Sequence, residues 1–265
     1  MVSRLVLDNR SLTVAALIGG LLFSPVAFGA PSEGAGKRSA AISLRKRLHV
    51  NPLITEPDTI DIEWGGSFST TGNFTMPTSI HYTPEGSHVW WGRTEFSASF
   101  DSLAYQQPAT HFGDRASFAA TCVVHDGDKL DFAIAPQVSI LLRGDAGVRI
   151  GSTAIARYDT GHHSAGVTFT WTGATASSAS NPAGTFDVGA GYGYGFGKIT
   201  PHVNWLWEKS SGSERQISLF EGAEYQVTEP FAIDFSVQHI SLWGGSRDTQ
   251  FVAGITFNTG RLHHR

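Results

Sequence analysis

Two short groupings carry the residue types of a reaction. Gln238-His239-Ile240-Ser241 sets a histidine and a serine two positions apart. Side chains two apart on a strand share a face. A His base would then lie beside a Ser nucleophile, with Asp248 the available carboxylate to orient the ring. The plainer account is a strand end near water, where His239 and Ser241 are merely wet. His162-His163 offer two imidazoles to a metal, but neighbours on a strand point to opposite faces. The one cysteine, Cys122, completes neither a zinc motif nor a disulfide and reads as apolar packing. No metal and no cofactor are expected, and an enzyme reading rests on the His239 fragment alone.

A third grouping is dispersed. Asp61, Glu63, Arg93, Glu95, Asp131, Arg149, Arg157, Asp187, His202, Glu208, Glu224 and Asp234 each stand on the polar side of an alternating stretch. Gathered on one surface, they would form a salt-bridged network that fills an interior, or a constriction with acidic and basic walls that selects small polar or amphiphilic solutes. The elements that carry them must decide.

The clearest element is Gly184 to Lys209. Phe186, Val188, Ala190, Tyr192, Tyr194 and Phe196 occupy even positions; after Gly197-Lys198 the apolar set moves to Ile199, Val203, Trp205 and Trp207. A two-residue turn that leaves Phe196 opposite Ile199 keeps both sets on one face. The other face then sets Gly193 opposite His202, Gly191 opposite Asn204 and Gly189 opposite Leu206, so each large group meets a position without a side chain. Asp187 falls opposite Glu208, an unfavourable pair unless a basic side chain or cation sits there or one carboxyl keeps its proton. Arms of roughly ten residues, apolar on one face with aromatics near the ends, suit a bilayer-spanning barrel.

The rest of the chain repeats the pattern. Ile60, Ile62, Trp64 and Phe68 alternate with Asp61 and Glu63; Phe74, Met76, Ile80 and Tyr82 follow, with a bulge expected at Pro77. Similar runs are Thr94–Phe100, Ala116–Val124, Leu130–Val138, Val148–Tyr158, Ala165–Trp171, Ile217–Tyr225, Phe231–Val237 and Phe251–Phe257. Glu221 interrupts its apolar face, which predicts a bulge near Gly222 or a place at the water interface. With the Gly184–Lys209 hairpin this makes about twelve strands, an even number, in a closed antiparallel up-and-down transmembrane β-barrel. Longer links such as Asp101–Gly113, Ala174–Gly184 and Lys209–Glu214 fall on one end, and short turns on the other, the periplasmic one. A secreted soluble sandwich would fill its apolar face with Val, Leu and Ile and charge the other heavily. Here the apolar face is aromatic and small, and the polar face is Gly, Thr, Ser and few charges. Trp64, Trp90, Trp171, Trp205, Trp207 and Trp243 read as anchors at the membrane interface.

Composition agrees. Charged residues are 16% of 265, below the soluble average of about 25%. From Asn51 onward 12 Lys+Arg stand against 21 Asp+Glu, a balance of −9, which excludes nucleic acid as a partner. The apolar run Leu12–Phe23, then Ala27 and Gly29, reads as a signal peptide over residues 1–29, cut before Ala30. Residues 30–57 form a basic, poorly ordered periplasmic leader with Lys37, Arg38, Arg45, Lys46 and Arg47, and the barrel with a short C-terminal tail occupies 58–265.

Glu224–Asp234 followed by Gln250–Gly260 resembles the closing hairpin of bacterial outer-membrane transporter-like barrels of the meta-pathway of phenol degradation type. The resemblance implies outer-membrane location and passive, porin-like transport of small, often aromatic or apolar compounds, with membrane lipid, a small-molecule solute and the barrel-assembly machinery as partners. That machinery commonly reads a terminal aromatic residue; here Phe257 is followed by Asn258 to Arg265. His239-x-Ser241 also resembles the motif of outer-membrane lipid A deacylases, which implies a hydrolase working on lipid from the outer face. A sealed structural or adhesive barrel is the remaining alternative.

Overall fold

The computed structural model describes residues 54–55, 57–70, 72–85, 88–89, 92–106, 109–111, 115–142, 147–177, 182–228, 230–243, 245 and 247–262. The expected signal peptide, nearly all of the leader and Trp90 lie outside the described residues.

Alternating polar and apolar residues cannot satisfy a helical period, and the described chain is built of strands alone. They are β1 (Thr59–Ser69), β2 (Phe74–Thr83), β3 (His88–Val89), β4 (Gly92–Gln106), β5 (Ala109–His111), β6 (Arg115–Asp126), β7 (Leu130–Leu141), β8 (Val148–Asp159), β9 (His163–Ala174), β10 (Gly184–Tyr194), β11 (Ile199–Ser210), β12 (Arg215–Thr228), β13 (Phe231–Leu242) and β14 (Arg247–Arg261). β3 and β5 are short ribbons that pair only with β4, so twelve strands make the wall. Each pairs antiparallel with its sequence neighbour, and β1 pairs with β14 from Ser69↔Gln250 to Thr59↔Arg261. The sheet closes on itself, so the twelve-stranded wall has no open edge.

The two faces are sorted opposite to a soluble protein. Large apolar side chains point outward and stay exposed, Phe235 at 59% and Trp171 at 56% among them. Inside are buried Ser79, Thr153, Thr168, Ser218 and Gln238 and most of the ionisable groups. A soluble sandwich would bury the first set and solvate the second.

The central hairpin has the register its sequence dictates. Gly193 faces His202, Gly191 Asn204, Gly189 Leu206 and Asp187 Glu208, with an isolated bridge between Phe196 and Ile199. The irregularity at Pro77 is present as a register shift after Met76 against β4, because a proline has no N–H for the ladder. Three details differ from the sequence pattern. No bulge accompanies Glu221, which pairs regularly with Val203 and Val237; the shift in β12 lies between Gln226 and Thr228. The stretch after Asp101 is not a free link: β4 continues to Gln106 and folds back through β5. The chain beyond Phe257 continues β14 to Arg261, since Asn258 and Arg261 find partners in Asp61 and Thr59.

Candidate functional site

Closing the sheet turns the dispersed polar side chains into one lined interior. Asp61 and Glu63 on β1, Asp187 on β10, Glu208 on β11, Glu224 on β12 and Asp234 on β13 are all buried there. Arg115 on β6 and Arg149 and Arg157 on β8 are buried on the facing arc. The lumen is therefore polarised: an acidic arc from β10 round to β1, and a basic arc from β6 to β8.

At the end with short turns, Glu95 and His81 meet. His81 Nδ1 lies 2.9 Å from Glu95 Oε1, both side chains are 0% exposed, and Ser79 Oγ lies 3.1 Å from the second ring nitrogen. Nearby, Arg157 Nη2 stands 3.3 Å from Asp131 Oδ2 and 3.6 Å from Asp159 Oδ2. Arg93 is at the rim, half-buried, in an ion pair with Asp126. At the end with longer loops, Arg149 spreads its guanidinium over Pro182 O at 2.8 Å, Thr172 Oγ1 at 2.6 Å and Thr185 Oγ1 at 3.0 Å. It also interacts electrostatically with Asp187 and Glu208, so the expected basic neighbour of that acidic pair comes from β8.

Between the two ends runs a belt set by direct cross-strand pairing: Asn204 beside Phe220, Phe220 beside Gln238, Gln238 beside Gln250. Phe220 and Gln238 are 0% exposed, and neither amide atom of Gln238 has a hydrogen-bond partner. Two inner groups lie over glycines. A β-carbon added at Gly222 would come 2.7 Å from His202 Nε2 and 2.5 Å from the Phe235 carbonyl oxygen. One added at Gly254 would come 2.3 Å from Asp234 Oδ1.

His81, Arg115, Phe220 and Gln238 are lumen residues absent from the sequence-derived set. Strand parity reaches all four: His81 stands between outward Ile80 and Tyr82, and Phe220 between Leu219 and Glu221.

The His239, Ser241 and Asp248 grouping is not brought together. His239 and Ser241 are exposed on the outer face. Asp248 lies on the other side of the sheet, where its carboxylate accepts from Ser69 Oγ at 2.9 and 3.0 Å and from Thr70 Oγ1 at 3.0 Å. His239 Nδ1 instead lies 3.3 Å from Thr249 Oγ1. His163 Nδ1 stands 2.7 Å from the Tyr192 hydroxyl and His162 Nδ1 3.1 Å from Gly195 O. Among the described residues no cluster of three or more His, Cys, Asp or Glu could hold a metal. Cys122 is free and half-buried. Trp171, Trp207 and Trp243 lie toward the loop end, whereas Trp64 and Trp205 sit at mid-strand. On the outer face a groove of about 630 Å³ has Gly66, Ala223 and Ala253 as its floor, Phe68, Phe74, Phe235 and Phe251 as its walls, and Glu221 in its lining.

No protein-family model matches the chain, and no curated protein does. Solved structures do match in shape. The COG4313 outer membrane channel from Pseudomonas putida F1 superposes with a TM-score of 0.59 at 8% identity, covering 79% of this chain and 100% of that one. A KdgM porin in complex with disordered oligogalacturonate gives 0.53 at 13% identity, covering 74% and 98%. At such identities the likeness is one of fold. The chain has the fold of outer-membrane channel barrels.

Proposed function

We propose that this protein is an outer-membrane channel that passes small solutes passively, exported by its signal peptide and inserted by the barrel-assembly machinery. The observation that carries the reading is the inversion of its two faces: aromatic and apolar groups outward, ionisable groups and amides inward, in a wall with no edge. Hydrocarbon accepts only backbone whose polar groups are satisfied internally, and a closed barrel meets that demand. The fold shared with two outer-membrane channel proteins supports it.

The solute class follows from the wall. Facing acidic and basic arcs, with a belt of amides and the Phe220 ring at mid-height on the acidic side, favour small amphiphiles that carry both an apolar body and polar groups. The resemblance of the closing hairpin to phenol meta-pathway barrels supports the aromatic end of that range. The lipid hydrolase is disfavoured because Asp248 turns away from His239 and Ser241.

Planar-bilayer recording tests the reading, on the chain from Ala30 and on one shortened to begin at Asn51. Stepwise conductance is expected, with swelling of liposomes in small hydroxylated aromatics faster than in sugars. Silence of both chains at all voltages and salts would overturn it.

A further inference from the structure

The outer wall carries a carboxylate in the middle of its apolar band. Trp207 pairs with Ile217 toward the loop end of β11 and β12, Tyr225 pairs with Ile199 toward the turn end, and Glu221 stands four residues from each level. Four residues of a strand tilted by about 40° rise roughly 10 Å, so Glu221 lies near the centre of a band about 25 Å tall. It is exposed there, and its cross-strand neighbours, Val203 and Val237, have no donor to give it. One rung toward the loops stand Trp205 and His239, neither of which lines the outer groove. His239 turns its Nδ1 to Thr249 Oγ1 at 3.3 Å. An ionisable side chain at such a depth is costly to keep and marks a functional site whose partner must be found.

Beside Glu221 the register builds a trough. Glu221, Val237, Phe251, Phe68 and Phe74 pair in one continuous rung from β12 round to β2. The next rung toward the short turns is Ala223, Phe235, Ala253 and Gly66, three small residues and one phenyl ring. The side chains missing from that rung open the groove of about 630 Å³, with phenyl rings along it and the carboxylate at one end. Its length is four strand spacings, some 19 Å, and its volume falls in the range of about 300–1,000 Å³ typical of small-molecule sites.

Depth and direction choose the occupant. The donors of a bilayer lipid lie in its headgroup, about 15 Å from the midplane of a core about 30 Å thick, out of reach of Glu221. Lipid chains run along the membrane normal, whereas a groove laid across strands tilted by about 40° lies about 50° from it. A small apolar alcohol or phenol dissolved in the core meets both constraints. Its hydroxyl has no acceptor in hydrocarbon, the two valines leave Glu221 without a donor, and pairing the two groups relieves both costs. We propose that this groove is a binding site for lipophilic alcohols and phenols of several rings, taken from the membrane, with Glu221 accepting the hydroxyl and the phenyl walls holding the rings. The site rests on this wall facing lipid and not on conduction through the lumen.

Carbodiimide labelling and ligand binding on the full chain from Ala30, refolded into phosphatidylcholine vesicles, test the site. The probes are 1-hydroxypyrene and 1-methylpyrene, which share a ring body and differ in the donor. N,N′-dicyclohexylcarbodiimide, a hydrophobic reagent for carboxyls, should label Glu221, with a mass increase that is lost in Glu221→Gln. 1-Hydroxypyrene should slow that labelling several-fold, and 1-methylpyrene at the same concentration should not. Measured by energy transfer from the tryptophans, Glu221→Val should bind 1-hydroxypyrene about tenfold more weakly, as loss of one hydrogen bond to a charged group implies, and 1-methylpyrene as before. Ala253→Leu, which fills the floor and leaves the carboxylate, should weaken binding of both. Equal action of the two compounds on the unaltered chain overturns the proposal and needs no variant to fold; so does unchanged 1-hydroxypyrene binding in Glu221→Val. Labelling already slow without added compound overturns it too: a rate independent of protein density shows a lipid chain in the groove, and a rate that falls with density shows a second copy. Faster labelling by a water-soluble carbodiimide than by the hydrophobic one would put this wall in water, and the membrane reading would fail with the site. Fast labelling by the hydrophobic reagent with no protection by 1-hydroxypyrene removes the site alone.

Discussion

Asp187 and Glu208 face one another directly across β10 and β11, both buried, and Glu208 reaches the nearby positive charge of Arg149 through hydroxyls. Arg149 Nη2 donates to Thr185 Oγ1 at 3.0 Å, the Thr185 and Ser210 hydroxyls are 2.9 Å apart, and Ser210 Oγ donates to Glu208 Oε1 at 3.2 Å. One carboxyl of the facing pair is thus tied by a hydroxyl relay to a single cation.

Removing either partner of that arrangement should shift stability in opposite directions. Asp187→Asn relieves a like-charge cross-strand pair and should stabilise the barrel by about 0.2–1 kcal/mol. Arg149→Met leaves two buried carboxylates facing each other and should cost about 3 kcal/mol. The double variant should recover most of the loss. The temperature at which the folded band disappears in gel electrophoresis without boiling checks all three. A double variant no better than Arg149→Met would mean that the guanidinium acts through Pro182 and Thr172 and not through the acidic pair.

The pattern of the sequence made the wall readable because a strand's period is two and a barrel has only an inside and an outside. The Gly197-Lys198 turn alone dictates the Gly193–His202 and Asp187–Glu208 pairs, and one parity choice per strand assigns nearly every ionisable group. What parity cannot give is distance around the barrel. Arg149 lies 38 positions before Asp187 and meets it only because β8, β9 and β10 are adjacent. Nor does alternation speak of a chain before the first strand, so the left-handed turn at Asp58 and the burial of Ile54 among Val123, Ala133 and Ile155 had no signal. The Asp101–Gly113 stretch misled because polar strands that extend beyond a barrel look like loops.

Glu221 tests the outward assignment. Its neighbours across the strands are Val203 and Val237, and it lies exposed at mid-strand on the face read as lipid-contacting. A carboxylate there is unfavourable in hydrocarbon, so Glu221→Val should stabilise the barrel in lipid vesicles by about 1 kcal/mol. In a detergent with a hydrated surface the gain should shrink. Urea unfolding in both environments measures it; a loss of stability in vesicles would show that the carboxylate has a donor in the membrane.

Two inner glycines should differ in their tolerance of a methyl group. At Gly222 the added carbon meets the Phe235 carbonyl oxygen at 2.5 Å as well as Ser236 Cβ at 2.4 Å, so backbone must move. At Gly254 the nearest atoms belong only to the Asp234 carboxylate, which can swing into the lumen. Gly222→Ala is expected to cost about 2 kcal/mol, within the usual range for overpacking. Gly254→Ala should be close to neutral, since a strand also gains roughly 0.5–1 kcal/mol when glycine is replaced. The reverse order would contradict the inner-face register of β12 to β14.

Ser241→Ala should leave lipid acylation in the membrane unchanged. A Ser nucleophile needs its base held by a third group, and the available carboxylate, Asp248, is held by Ser69 and Thr70 on the lumen side. Mass spectrometry of membrane lipid from cells carrying each form checks this. Acyl loss that depends on Ser241 would restore the hydrolase and require another carboxylate.

Among the described residues Phe220 is the largest fully buried side chain of the lumen, and its direct neighbours, Asn204 and Gln238, carry amides. An amphiphile crossing this belt would slide its apolar body past the ring while exchanging hydrogen bonds with the amides on either side, including both unpartnered atoms of Gln238. Phe220→Ala should therefore act twice. In the chain that begins at Asn51 it should raise single-channel conductance, because the belt loses its bulkiest inward side chain. It should also weaken the preference for aromatic over sugar solutes in liposome swelling, because the surface that favours an apolar body is gone. Some stability will be lost as well, about 3 kcal/mol if the site cannot collapse. Phe220→Leu, which keeps an apolar body without the ring, separates the effects: conductance should stay near the starting value while the aromatic preference falls. Unchanged conductance in Phe220→Ala would move the constriction away from this belt, toward the Asp187 and Glu208 level or the His81 and Glu95 level.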